Sequence, residues 1–221
     1  MARSPFDPDF DALPAELPIF PLPGGLLLPG GRLPLNIFEP RYLAMTADAL
    51  QGERLIGMVQ PRDAQSALGA PEVYDLGCVG RITAFSETED GRYLVTLDGL
   101  IRFRVAAELP QAQGGYRRVE ACYEGFRDDL LEQEASIDRP ALISTLRSFF
   151  DHHGIKGDWD TIEQTGNERL VTSLAMLCPF SPSEKQALLE APGLAERAAS
   201  MIALLQLASF ENADQGAAPR H

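Results

Sequence analysis

Residues able to do chemistry are sparse in this chain and poorly grouped. His152 and His153 are adjacent, and neighbouring residues on a helix point about 100° apart, so the two do not converge on one metal. No glutamate follows them at metalloprotease spacing, and they read as exposed histidines near a helix end ahead of Gly154. The only lysines are Lys156 and Lys185, and neither follows a glycine, so no phosphate-binding loop of the Gly-Lys-Ser/Thr kind is present. A Ser–Lys hydrolase needs such a lysine buried beside a serine. Lys185 instead follows Ser181-Pro182-Ser183-Glu184, a capping box with proline at the first helical position, and is expected in a solvated first turn. Cys78, Cys122 and Cys178 are odd in number, far apart and without a histidine at nucleophile spacing, which suits buried thiols in a reducing compartment. Asp128-Asp129 with Glu132 and Glu134 reads as a solvated acidic linker, and Glu87, Glu89 and Asp90 as a hairpin tip. No catalytic residue, metal site or cofactor is expected, which points to a binding module.

The elements that must position any site fall into two groups. Arg54–Gln60, Leu76–Phe85, Arg92–Asp98, Ile101–Val105 and Val119–Tyr123 have strand character, the last two by apolar alternation. Asp90-Gly91 between the second and third of these is a hairpin signal. Six or seven short strands and one early helix, Pro40 to about Gln51, predict a partly closed antiparallel β-barrel over residues 15–126. After an acidic connector, 127–137, the period becomes helical: Leu142, Ile143, Leu146, Phe149 and Phe150 form one stripe. Further helices are expected at Trp159–Glu163, from Asn167 to a stop before Pro179, from Ser181, and over Gly193–Phe210. The helical subdomain therefore spans 138–211, flanked by disordered ends at 1–14 and 212–221.

The 221 residues are 45% apolar and 23% charged, an ordinary globular composition. No apolar run reaches the roughly 18 residues of a membrane span, and the acidic N-terminus is no signal peptide, so a cytoplasmic location is expected. The net charge of −13 argues against a polyanion partner through bulk charge. Seventeen of the nineteen basic residues are arginine, so a local RNA-binding stripe of Arg81, Arg102, Arg104, Arg117 and Arg118 is the alternative function, and it requires these side chains to converge on one face.

One segment stands apart. Leu17 to Tyr42, LPIFPLPGGLLLPGGRLPLNIFEPRY, holds four glycines and six prolines among large apolar residues. It predicts a strand at Leu17–Leu22, a Gly-rich excursion at Pro23–Gly31, a second strand at Arg32–Phe38, and a helix entered at Pro40. Three consecutive leucines, Leu26, Leu27 and Leu28, cannot all face one side of a strand. Either both faces are covered, or one leucine looks outward and awaits a ligand. Arg41 and Tyr42 carry the same two readings: a local ion pair near the helix start, or an aromatic–guanidinium surface suited to peptides.

At these residues the chain resembles the N-terminal substrate-recognition domain of Lon proteases, in a stand-alone form. The resemblance rests on LPIFPL…LLLPGGRLPLNIFEPRY and is extended by Gly77-Cys78-Val79-Gly80-Arg81-Ile82. It continues through Asp98-Gly99-Leu100-Ile101-Arg102-Phe103 and the C-terminal FSPSEKQALLEAPGLAERAASMIALL, and covers residues 15–210. It implies an α+β fold, a PUA-like barrel followed by a helical bundle. It further implies a non-catalytic module, without ATPase or protease domains, that binds unfolded or partly extended polypeptides. A protease or chaperone is a further candidate partner, and neither membrane nor nucleic acid is expected to be one. The candidate peptide-binding residues are Leu26, Leu27, Leu28, Phe38, Arg41 and Tyr42, acting by apolar burial and by strand addition at an open edge.

Overall fold

The computed structural model describes residues 4–63, 71–131 and 135–215. Its strands are β1 (Glu16–Pro21), β2 (Arg32–Ile37), β3 (Leu55–Val59), β4 (Leu76–Glu87), β5 (Tyr93–Leu109) and β6 (Arg117–Cys122). Its helices are α1 (Pro40–Gln51), α2 (Arg139–His153), α3 (Trp159–Gln164), α4 (Asn167–Leu177), α5 (Pro182–Glu190) and α6 (Leu194–Gln215), with short 3-10 turns at Phe10–Ala12 and Arg127–Leu130. The strands form one sheet in the order β2-β5-β4-β3-β1-β6, and β5 also pairs with β6. Five strands thus close a ring and β2 lies outside it, along the N-terminal half of β5. The fold is α+β, with a partly closed six-stranded sheet and a set of C-terminal helices.

Two details differ from the sequence expectation. The sheet is antiparallel except for β1 and β3, which run parallel with Ile19 opposite Gly57. The two strands expected at Arg92–Asp98 and Ile101–Val105 are one 17-residue strand. Its pairing with β4 steps from Ile101 opposite Val79 to Gly99 opposite Gly80, so Leu100 is an extra residue, a bulge between the two expected strands. A second step, at Val105/Ala107, lets the far half of β5 swing over to β6 and close the ring.

One buried apolar cluster runs through both halves, from Leu17, Ile19 and Phe103 in the barrel to Leu146, Phe149, Val171 and Leu205 in the helices. The α2 stripe behaves as its period predicts, with Leu142, Leu146 and Phe149 buried. On α4, Leu170, Val171 and Leu174 are buried, while Leu177 is 81% exposed. Ser181 and Glu184 form the capping box in both directions, while the first residue of α4 is Asn167 and its cap is Gly166.

Residues 4–14, expected to be disordered, lie against the sheet. Asp7 accepts from Arg81 Nε at 2.7 Å in a largely buried pair, and Tyr123 Oη donates to Pro14 O. At the other end α6 continues to Gln215, past the expected start of the tail, and residues 216–221 lie outside the described ones.

The acidic connector is also corrected. Asp129 is buried, taking Arg102 Nε and Nη2 at 2.8 Å each and the Arg102 backbone N–H at 3.0 Å. The same guanidinium donates to the carbonyls of Leu189, Ala191 and Pro192. A carboxylate flanked by acids reads as solvated only until a guanidinium meets it; five donated bonds make burial of both charges tolerable. Glu132 and Glu134 lie outside the described residues.

Candidate polypeptide-binding surface

Leu26, Leu27 and Leu28 are 3%, 2% and 0% exposed, so the first alternative holds and both faces of the loop are covered. The cover on one side is bare backbone. Gly80 and Gly99 sit opposite each other on β4 and β5, and a Cβ on Gly99 would lie 2.0 Å from Leu28 O, one on Gly80 2.7 Å from Leu27 Cδ2. The two glycines make a notch in the sheet that the leucines fill. On the other side the loop meets α4, where a Cβ on Gly31 would lie 2.4 Å from Met176 Sδ.

Lys185 completes this joint. It is buried, against the expectation of a solvated first-turn lysine, and its Nζ donates to Gly24 O at 3.0 Å and Met176 O at 3.5 Å. Burial pushes its pKa below the ordinary lysine value. Its partners are backbone carbonyls, and Ser181 Oγ is bound to Glu184, so the serine–lysine pair of a hydrolase is not assembled here.

At Arg41 and Tyr42 the local ion pair of the structural reading is present, with the Arg41 side chain 40% exposed. Tyr42 is buried, stacked 4.2 Å from Phe20. Arg41 donates to Glu39 through Nε and Nη2 and lies 4.6 Å over the Tyr42 ring. The histidines fold back on their helix: His152 Nδ1 donates to Ser148 O and His153 Nδ1 to Phe149 O. Cys78 and Cys178 are buried and Cys122 half-buried, and none forms a disulfide.

Four of the five arginines of the alternative RNA-binding stripe are held by acids of the chain, and the fifth, Arg104, is exposed beside the Phe126 ring. Arg102 is consumed by Asp129, Arg81 by Asp7, Arg117 by Glu108 at 2.6 Å and Arg118 by Glu16 at 3.1 Å.

Of the expected peptide-binding residues, Phe38 faces solvent, at 61% exposure. It stands where β2, β5 and β4 project beyond the ring. Registered residues share a face of a sheet, so Asn36, Leu94 and Ser86 form one row and Pro34, Thr96 and Ala84 the next. Alternation puts Phe38 on this side, with the Arg92 guanidinium 5.7 Å from its ring. Leu94 is 45% exposed, and Pro34, Ala84, Asn36 and Ser86 are exposed as well. The charges bordering the face are neutralised in pairs, Arg32 with Asp98 at 2.9 Å and Arg92 with Asp90 at 2.8 Å. The result is a mixed face, Phe38, Leu94, Pro34 and Ala84 set among Asn36, Ser86 and Thr96, whose charges are paired. Sequence reasoning missed Leu94, whose signal was present: a leucine on the polar side of an alternating strand, opposite Ser86.

Strand addition at β2 is disfavoured. Gly99 N–H donates to Gly31 O at 2.8 Å, so the ladder bonds fall on Leu33, Leu35 and Ile37. Pro34 then faces the open edge, where it offers no N–H.

A partly closed six-stranded sheet followed by a set of C-terminal helices defines the class of fold as α+β. The match to known families agrees: the chain belongs to the ATP-dependent protease La (LON) substrate-binding domain family, whose model matches residues 16–206. Lon protease 2 of Myxococcus xanthus is 33% identical over 124 residues, 56% of this chain and 15% of that relative. Lon protease 2 of Sorangium cellulosum is 29% identical over 216 residues, 92% of this chain and 26% of that relative. The chain thus spans about a quarter or less of these relatives' lengths. Among solved structures, the Lon N-terminal domain protein from Xanthomonas campestris superposes with a TM-score of 0.60 at 23% identity, covering 85% of this chain and 97% of that one. The N-terminal domain of the Mycobacterium avium complex Lon protease gives 0.58 at 15%, covering 86% and 98%. At these identities the likeness speaks to the fold alone. No helix among the described residues is long and apolar enough to cross a membrane.

Proposed function

We propose that this chain is a non-catalytic, cytoplasmic module that binds unfolded or partly extended polypeptide through the projecting face of β2, β5 and β4. Family membership supports a protein ligand, and the observation that carries the choice of surface is Phe38, 61% exposed beside Leu94 on a sheet face whose charges are paired. An exposed aromatic of this kind is costly to leave in water unless a partner covers it. The leucine loop and Tyr42 are buried in the core and offer no surface for a ligand.

Covering the exposed part of Phe38 is worth about 1–2 kcal/mol, or roughly 5- to 30-fold in affinity. Phe38→Ser should therefore weaken binding of a reduced, alkylated model protein by that factor, measured by fluorescence anisotropy, and leave the circular dichroism spectrum and melting temperature unchanged. Unaltered affinity in the variant moves the site elsewhere. Absence of binding by the wild type at about 100 μM, already a weak regime, removes the function.

A further inference from the structure

The opposite face of the same projection carries a different chemistry. Phe85 and Tyr93 meet edge to face with ring centroids 5.0 Å apart, and Phe85 is 39% exposed. Glu87 is exposed and directly opposite Tyr93 across the hairpin, two residues from Phe85 on the same strand. Directly opposed side chains have Cβ atoms about 5 Å apart, so a carboxylate and two rings share one small area. Glu87 and Glu89 make no ion pair among the described residues, unlike Asp90, which holds Arg92 at 2.8 Å.

This protein repeatedly closes such arrangements with a guanidinium. Arg41 lies over Tyr42, Arg127 over Phe10 and Arg147 over Trp159, each within 4.6 Å of the ring centroid. Arg41, Arg127 and Arg147 are simultaneously paired with Glu39, Asp11 and Glu163. Ring, carboxylate and guanidinium thus recur together as a unit. At Phe85, Tyr93 and Glu87 the rings and the carboxylate are in place, and among the described residues no arginine of the chain lies over either ring.

We propose that Phe85, Tyr93 and Glu87 form a cation subsite that takes an arginine or lysine side chain from the bound polypeptide. This rests on the polypeptide-binding function above and deepens it: the occupant is an extended segment in which a basic residue stands close to large apolar ones. The apolar residues cover Phe38 and Leu94, and the basic residue passes round the hairpin end to the rings, drawn by Glu87 and Glu89. Charge complementarity favours this occupant, because a protein of net charge −13 attracts cationic segments over distance and repels acidic ones. An exposed cation–π contact and an exposed ion pair together correspond to about tenfold in affinity at low salt.

The test uses three 14-residue peptides with the same Leu/Phe/Val centre and flanks of arginine, glutamine or glutamate, titrated against the full chain by fluorescence anisotropy at low and at physiological salt. The arginine peptide should bind about tenfold tighter than the glutamine peptide at low salt, and the glutamate peptide weakest. Glu87→Gln should reduce that preference to about threefold. Phe85→Leu should reduce it as well, while leaving affinity for the glutamine peptide within about twofold. Equal affinity for all three peptides overturns the cation subsite and leaves polypeptide binding standing. An arginine preference untouched by both substitutions places the cation elsewhere and overturns it too. Binding of none of the three overturns both the subsite and the function on which it rests.

Discussion

Burial separates the ion pairs of this protein into two kinds. Arg32–Asp98 stands with its side chains 61% and 27% exposed, and a pair of that kind contributes about 0–1 kcal/mol. Arg102–Asp129, with side chains 5% and 2% exposed, belongs to the class in which removing one partner strands a charge in the interior. Asp129→Ala should cost about 3–5 kcal/mol in urea unfolding, several times the effect of Asp98→Ala in the same assay. The buried thiols make a second residue-scale prediction. Burial pushes Cys178 up to about 11 from an ordinary 9.0, and Tyr116, desolvated and donating to Asp48, up to about 12 from 10.0. Folding thus favours the protonated forms, and their contribution is complete below pH 9. It is lost as the unfolded groups ionise and the pH rises through the folded values. Stability should fall between about pH 9 and 12. Cys178→Ser should flatten the lower part of that decline in denaturant titrations at pH 8, 9, 10 and 11.

At the scale of elements, the Gly80–Gly99 notch determines how the sheet and the leucine loop fit. A methyl group on Gly99 meets a main-chain oxygen, not the end of a flexible side chain, so the loop or the strand must move. Gly99→Ala should destabilise by about 3 kcal/mol, at the upper end of overpacking costs, whereas Gly166→Ala, with nothing within 4 Å of the added carbon, should change stability by less than about 1 kcal/mol. Urea midpoints of the two variants compare them directly. What the sequence allowed to be read follows the same division. Elements set by local chemistry were legible: α1 begins at Pro40, the Ser181–Glu184 box caps α5, and Asp90-Gly91 turns the hairpin, with φ +79° at Gly91. Features set by distant chain were not. Leu26–Leu28 are buried because two glycines about 50–70 positions on leave room for them. Asp129 and Lys185 are buried because their partners come from 27 and 161 residues away. The candidate surface was legible at Phe38 and missed at Leu94, because an outward leucine only gains meaning once the strand beside it is known.

Among the described residues, four side chains tie the two halves of the molecule together, as well as a shared apolar cluster. Arg102 on β5 holds the end of α5; Lys185 on α5 holds the Gly-rich loop; Gln60, beyond β3, donates to Pro182 O, and Gln186 on α5 returns a bond to Leu76 O. Each of these ties runs to α5 or its ends, a nine-residue helix with Leu188 and Leu189 buried on its inner side. A short helix held by both halves is placed to make them one cooperative unit, with the barrel and the helices losing structure together. The chain offers its own probes: Trp159 reports the helical half, and the buried Tyr42, Tyr116 and Tyr123 report the barrel. Urea transitions followed by tryptophan fluorescence, by tyrosine near-ultraviolet dichroism and by far-ultraviolet dichroism should share one midpoint. Lys185→Met keeps the side-chain volume and removes the tie to Gly24. It should lower that midpoint in all three signals equally, because a cooperative unit distributes a local loss over the whole. Separation of the tryptophan and tyrosine midpoints, in the wild type or in this variant, would show two independently stable halves and contradict the single-unit account.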